Sequence, residues 1–124
     1  MKVLIADDDL EVMDLTVAAL SRLKNNPEIK TVDTGIDAWK EIKNFLPDLL
    51  VLDLKMPGIY GTNICEKLRR TEIGKKMKIL VMTSYLTPGV RKMVEESGSD
   101  VCIEKPFDPN ELLKMAEELM AQKP

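Results

Sequence analysis

The stretch Leu49-Leu50-Val51-Leu52-Asp53-Leu54-Lys55-Met56-Pro57-Gly58 runs four aliphatic residues straight into an acid and a turn. Consecutive aliphatics without alternation are the pattern of a strand buried on both faces, as in a parallel sheet. The Pro-Gly pair ends the regular structure. An Asp at the carboxyl end of a buried strand stands where open α/β sheets place their ligands. Asp53 is therefore the first candidate functional residue.

The rest of the chain alternates strands and helices around this segment. Val3-Leu4-Ile5-Ala6 is a first strand that ends on Asp7, Asp8 and Asp9. Leu10, Met13, Val17, Leu20 and Leu23, with Ala18 beside them, recur at helical spacing until Asn25-Asn26-Pro27. Ile29-Lys30-Thr31-Val32 alternates and reads as a strand near an edge. Asp33-Thr34-Gly35 leads into a second helix through Ala38, Trp39, Ile42 and Phe45. After the central strand, a third helix shows Ile64, Cys65 and Leu68 on one face. Ile79-Leu80-Val81-Met82 is a fourth strand ending on Thr83 and Ser84.

Thr87-Pro88 makes a cap and first turn for a fourth helix with Val90, Met93 and Val94, and Gly98 fits its stop. Val101-Cys102-Ile103 is a fifth strand leading to Glu104-Lys105-Pro106, where Pro106 is a candidate for a cis bond. Asp108-Pro109-Asn110-Glu111 opens a last helix whose buried side is Leu112, Leu113, Met115, Ala116, Leu119 and Met120. No repeat, low-complexity segment or linker interrupts the pattern.

Five strands alternating with five helices predict a doubly wound α/β fold, a parallel sheet with helices on both faces. The expected strand order is 2-1-3-4-5, a flavodoxin-like arrangement. Strands one and three are then neighbours where the order reverses. Asp7, Asp8 and Asp53 end those two strands.

Size and composition agree with one domain covering residues 1–124. The chain is 44% apolar and 31% charged, the balance of a soluble globular protein. A net charge of −3 argues against direct nucleic-acid binding and against a polybasic membrane patch. The apolar runs fall far short of the ~20 residues needed to span a bilayer. No signal segment is visible at the start, so a cytoplasmic location is the default expectation. The two cysteines, Cys65 and Cys102, suggest no disulfide framework and read as small buried hydrophobes. The chain has no His, which removes imidazole catalysis and the usual zinc sites. A bound metal would be held by oxygen: magnesium, with manganese as an alternative.

Three carboxylates converging on one crevice are unfavourable without a cation, since two of them ~4 Å apart repel by about 4 kcal/mol at an effective dielectric near 20. Magnesium accepts one or two carboxylates together with waters and phosphate oxygens. An Asp can also act as a nucleophile and form an aspartyl-phosphate. Thr83 and Lys105, at the ends of strands four and five, add a hydroxyl and an ammonium suited to phosphoryl oxygens. Asp9 is explained by helix capping alone. Lys67, Arg69, Arg70, Lys75 and Lys76 read as a solvated face.

Four pieces taken together resemble the receiver domain of two-component response regulators over essentially the whole chain. They are Val3-Leu4-Ile5-Ala6-Asp7-Asp8-Asp9, Pro47 to Gly58, Ile79 to Ser84, and Lys105-Pro106-Phe107. The resemblance implies that Asp53 accepts a phosphoryl group from a histidine kinase or histidine phosphotransfer protein. It implies magnesium ligation by Asp8, Asp53 and the main-chain carbonyl of Lys55, with Asp7 acting directly or through water. Lys105 would be the phosphoryl counter-charge and Thr83 the switch hydroxyl. Binding of a downstream protein would change through the face of strand four, helix four and strand five. With no output domain after the last helix, the expectation is a stand-alone regulator rather than an enzyme.

The chain departs from the family at Cys102, where a Tyr or Phe is usual, and at Ser84, where Ala or Gly is common. The first departure bears on the threonine–aromatic coupling of the switch. Lys55 and Tyr85 occupy positions that affect phosphoryl lifetime in the family. Competing readings are weaker. Aspartyl-phosphate phosphatases usually have a second Asp two residues after the nucleophile, where this chain has Lys55. A flavin carrier of this topology needs a Ser/Thr/Gly-rich phosphate loop where this chain has three acids. Intact Asp7, Asp8, Asp53, Thr83 and Lys105 argue against a degenerate, constitutive interaction module.

Overall fold

A computed structural model describes residues 1–122 of the chain. Its strands are β1 (Lys2–Ala6), β2 (Glu28–Val32), β3 (Leu49–Asp53), β4 (Lys78–Thr83) and β5 (Val101–Glu104). They form one sheet in the order β2-β1-β3-β4-β5, every pair parallel. The expected topology is the observed one. β3 lies at the centre and is buried along its whole length, while β2, exposed at Glu28, Lys30 and Thr31 and nowhere fully buried, is an edge.

Strand alternation divides the core into two layers. Leu4, Ala6, Leu50, Leu52, Ile79 and Val81 pack on one face with α2 (Gly35–Phe45) and α3 (Gly61–Arg69). Val94 of α5 (Pro88–Glu96) joins the same layer. Val3, Ile5, Leu49, Val51, Leu80 and Met82 pack on the other face with α1 (Leu10–Leu20) and α6 (Pro109–Ala121). Burying each such aliphatic side chain contributes about 1.5–3 kcal/mol, which explains why consecutive strand residues are all apolar. Cys65 and Cys102 are free thiols inside the first layer, as their spacing suggests.

Local signals set the helix ends. Asp9, Thr34, Thr87 and Asp108 cap α1, α2, α5 and α6, each accepting a backbone N–H with its side chain. Pro88 and Pro109 occupy first turns, where a missing N–H leaves nothing unpaired. Gly98 follows α5 with φ of 103°, a left-handed conformation open to glycine without steric cost. The Lys105–Pro106 peptide is cis.

Three expectations need correction. The described residues hold six helices, because a short α4 (Glu72–Lys75) follows α3. Four residues leave no periodicity to detect, and its one large apolar residue, Ile73, is exposed. Second, α1 turns Met13, Thr16, Ala19 and Leu20 inward, whereas Leu10 and Ala18 face solvent. The helix stops at Leu20, so Leu23 reaches the core from the following turn. Third, Arg69 does not belong to a solvated face. Its guanidinium donates to the carbonyls of Gly98, Gly74 and Met77 at 2.9, 2.7 and 2.5 Å and to the Asp100 carboxylate at 2.8 Å. Among the described residues, no helix is long and apolar enough to cross a membrane.

Candidate functional site

At the carboxyl end of the sheet, the neighbouring strands β1 and β3 deliver their terminal acids to one crevice. Single carboxylate oxygens of Asp7, Asp8 and Asp53 all lie within 4.8 Å of one another. Asp7 is completely buried, Asp53 nearly so, and Asp8 is exposed at the mouth. Asp7 and Asp8 fall between β1 and the Asp9 cap, so strand end and helix start hold the pair between them. The Asp9 N–H donates to Asp7 Oδ1 at 2.9 Å, which fixes that carboxylate from the helix side.

Lys105 enters from the end of β5. Its Nζ lies 2.7 Å from Asp7 Oδ2 and 3.3 Å from Asp53 Oδ2. One ammonium thus bridges two buried acids that would otherwise repel. It does not cancel the cost of burial. Desolvation pushes the Asp53 carboxyl up from 3.8 to about 6; Lys105 opposes the rise and the Asp7 charge adds to it. A carboxyl so poised responds strongly to any added positive charge.

Thr83, at the end of β4, is buried, and its Oγ1 accepts the Tyr85 N–H at 3.2 Å. The hydroxyl therefore stabilises the turn after its own strand. A cleft of about 240 Å³ joins Asp8, Asp53, Lys55, Thr83, Tyr85 and Lys105. Larger clefts of about 430, 510 and 500 Å³ lie at the opposite end of the sheet, around Asp48, Met120 and Lys78, and none of them brings three carboxylates together. Asp7, Asp8, Asp53, Lys55, Thr83 and Lys105 thus meet at one rim, and Asp9 is the cap its position suggests.

The donor set around the three acids is made of oxygen alone and carries concentrated negative charge, which suits a hard divalent cation. Gly61, the first residue of α3, brings backbone close to the site: a Cβ there would lie 2.7 Å from the Asp53 carbonyl oxygen. Burial holds the Cys65 thiol up at about 11 and moves Cys102 the same way, so neither is a thiolate at neutral pH.

One rim residue stands outside the motif-based set. Glu104, the last residue of β5, accepts the Leu86 N–H at 2.7 Å through Oε2. An acid next to Lys105 is its only mark in the sequence.

Residues 3–117 match the response regulator receiver domain. The response regulator MprA of Mycobacterium avium (strain 104) is 34% identical over 113 residues, 91% of this chain and 48% of that protein. The chain spans about half the length of the curated relatives it matches. The signal receiver domain of the DNA-binding response regulator protein merR from Colwellia psychrerythraea 34H superposes with a TM-score of 0.90 at 29% identity, covering 98% of this chain and 99% of that one. The chemotaxis response regulator CheY4 of Vibrio cholerae shares the fold, with a TM-score of 0.86 at 24% identity over 95% of this chain and 97% of that one. With its topology, its acidic crevice and nearly its whole length in agreement, the chain belongs to the response regulator receiver domains of two-component systems.

Proposed function

We propose that Asp53 is the phosphoacceptor of this receiver and takes its phosphoryl group from a phosphohistidine on a histidine kinase or histidine phosphotransfer protein. The observation that carries this reading is the bridging of Asp7 and Asp53 by Lys105 beside the exposed Asp8. A carboxylate oxygen of Asp53 attacks phosphorus in line. The P–N bond breaks, its electron pair stays on the imidazole nitrogen, and an acyl phosphate forms on Asp53. Lys105, already 3.3 Å from Asp53, supplies a cation for the phosphoryl oxygens. Thr83 donates its hydroxyl to the same oxygens when it leaves the Tyr85 N–H.

Asp8, Asp53 and the main-chain carbonyl of Lys55 are the proposed magnesium ligands, with manganese as a substitute. Both Asp7 oxygens already accept hydrogen bonds, which favours its taking part through water. Bound there, the cation neutralises the charge that gathers between carboxylates and phosphoryl group. The output surface is the face of β4, α5 and β5, where Tyr85 and Met93 are exposed.

Incubation with acetyl phosphate and magnesium, followed by intact-mass measurement, tests the reading. One added phosphoryl group is expected, and it should vanish in Asp53→Asn. Persistence of the adduct in that variant would sink the assignment.

A further inference from the structure

We propose that Glu104 is a positioning residue of the switch, tethering the loop between β4 and α5 so that movement of the Thr83 hydroxyl reaches the start of α5. The inference rests on Asp53 being the phosphoacceptor. Thr83 and Glu104 are direct partners across the β4–β5 ladder, and the Lys105 N–H donates to the Thr83 carbonyl at 2.8 Å. From these adjacent positions each side chain holds one of two consecutive loop amides. Thr83 Oγ1 accepts from Tyr85 at 3.2 Å, and Glu104 Oε2 accepts from Leu86 at 2.7 Å.

The two tethers differ in strength. The bond to the carboxylate is shorter and charge-assisted, whereas the bond to the hydroxyl is neutral. When Thr83 turns to a phosphoryl group on Asp53, the Tyr85 amide is released while Leu86 stays anchored. The chain then pivots at Leu86. Immediately beyond it lie Thr87, whose Oγ1 caps α5 by accepting the Val90 N–H at 3.1 Å, and Pro88 in the first turn. Leu86 and Val90 each pack against the first core layer, so a pivot there moves the beginning of the helix. Cys102 is small and buried and has no ring to rotate, which leaves the loop as the route out of the site.

The test compares the wild type with Glu104→Ala and Glu104→Gln; Gln keeps an oxygen acceptor. Glu104 is exposed, so neither change disturbs the core. Each protein is treated with acetyl phosphate and magnesium, weighed intact, and followed by hydrogen exchange across residues 84–92. All three should gain one phosphoryl group. Without phosphorylation, the Leu86 amide should exchange about tenfold faster in the Ala variant and only a few-fold faster in the Gln variant, which keeps an acceptor but loses its charge. The phosphorylation-dependent change in exchange at the start of α5 should appear in the wild type and the Gln variant and fall by at least half in the Ala variant. A phosphorylated Ala variant with the full wild-type change overturns the tether alone. A wild type that gains no phosphoryl group overturns the tether together with the phosphoacceptor reading.

Discussion

Lys105 donates to Asp7 at 2.7 Å across 98 residues of chain, and that carboxylate has no contact with solvent. Its nearer partner is therefore Asp7 rather than the proposed nucleophile, which stands 3.3 Å away. An ammonium shared in this way offsets the repulsion between two acids held side by side. Removing one member of a buried pair leaves a charge with no partner, at a cost of roughly 3–5 kcal/mol. Lys105→Met should lower metal-free stability at pH 7 by about 3 kcal/mol in urea unfolding, at the low end because the lysine sits at a rim. Magnesium should restore part of the loss. A change near zero would mean that Asp7 is solvated in solution.

The raised Asp53 carboxyl gives a pH dependence of definite sign. An acid that holds its proton more tightly in the folded state destabilises the fold as pH rises. The penalty is absent below 3.8 and complete above about 6. That interval corresponds to about 3 kcal/mol. In metal-free buffer Asp53→Asn should therefore be more stable than the wild type above pH 6, and the gap should close as the pH falls toward 4. Urea midpoints at several pH values check this. A gap that is constant with pH would assign the effect to packing instead.

Strand number, strand order and the meeting of Asp7, Asp53 and Lys105 were legible because they depend on short apolar runs and on the residue ending each run. Parallel topology then carries those ends to one rim whatever the helices contain. The rest depends on partners distant in sequence. Arg69 looks like any lysine-rich surface position until its bonds to Gly98 and Asp100, 29 and 31 residues away, are known. Glu104 likewise finds its donor 18 residues back, in a loop without periodicity. The short α4 lacked the length to show a pattern, and the inward turn of Thr16 depends on a hydroxyl that bonds Val12 within the same helix.

Arg69 provides a test away from the crevice. Four donations tie the end of α3 to the α4 segment and to the entry of β5, and Asp100 Oδ2 also accepts the Ile79 N–H at 2.8 Å. Replacing the guanidinium by Lys keeps the charge but loses the planar fork. Arg69→Lys should cost about 2–3 kcal/mol of stability, since hydrogen bonds to charged groups contribute about 1.5–3 kcal/mol each and the lysine can replace only some of them. Its phosphoryl uptake at Asp53 should match the wild type at temperatures where the variant is folded. Loss of uptake in the folded variant would show that the α3–β5 junction shapes the site.

Asp8 separates repulsion from ligation. It is the exposed member of the three acids, so its repulsion of Asp53 is screened and its removal relieves little. Metal-free Asp8→Asn should melt slightly higher than the wild type. Magnesium should act in the opposite sense on the pair. A ligand that binds only the folded state stabilises it by about 2.7 kcal/mol at one hundred times its dissociation constant. The wild type should show a rise of that kind, and the variant should lose most of it, because one of the two proposed carboxylate ligands is gone. A calorimetric titration with magnesium, run beside thermal melts, distinguishes the cases. Equal magnesium responses in the two proteins would remove Asp8 from the ligand set, and a lower metal-free melting point in Asp8→Asn would contradict the crowding of the three carboxylates.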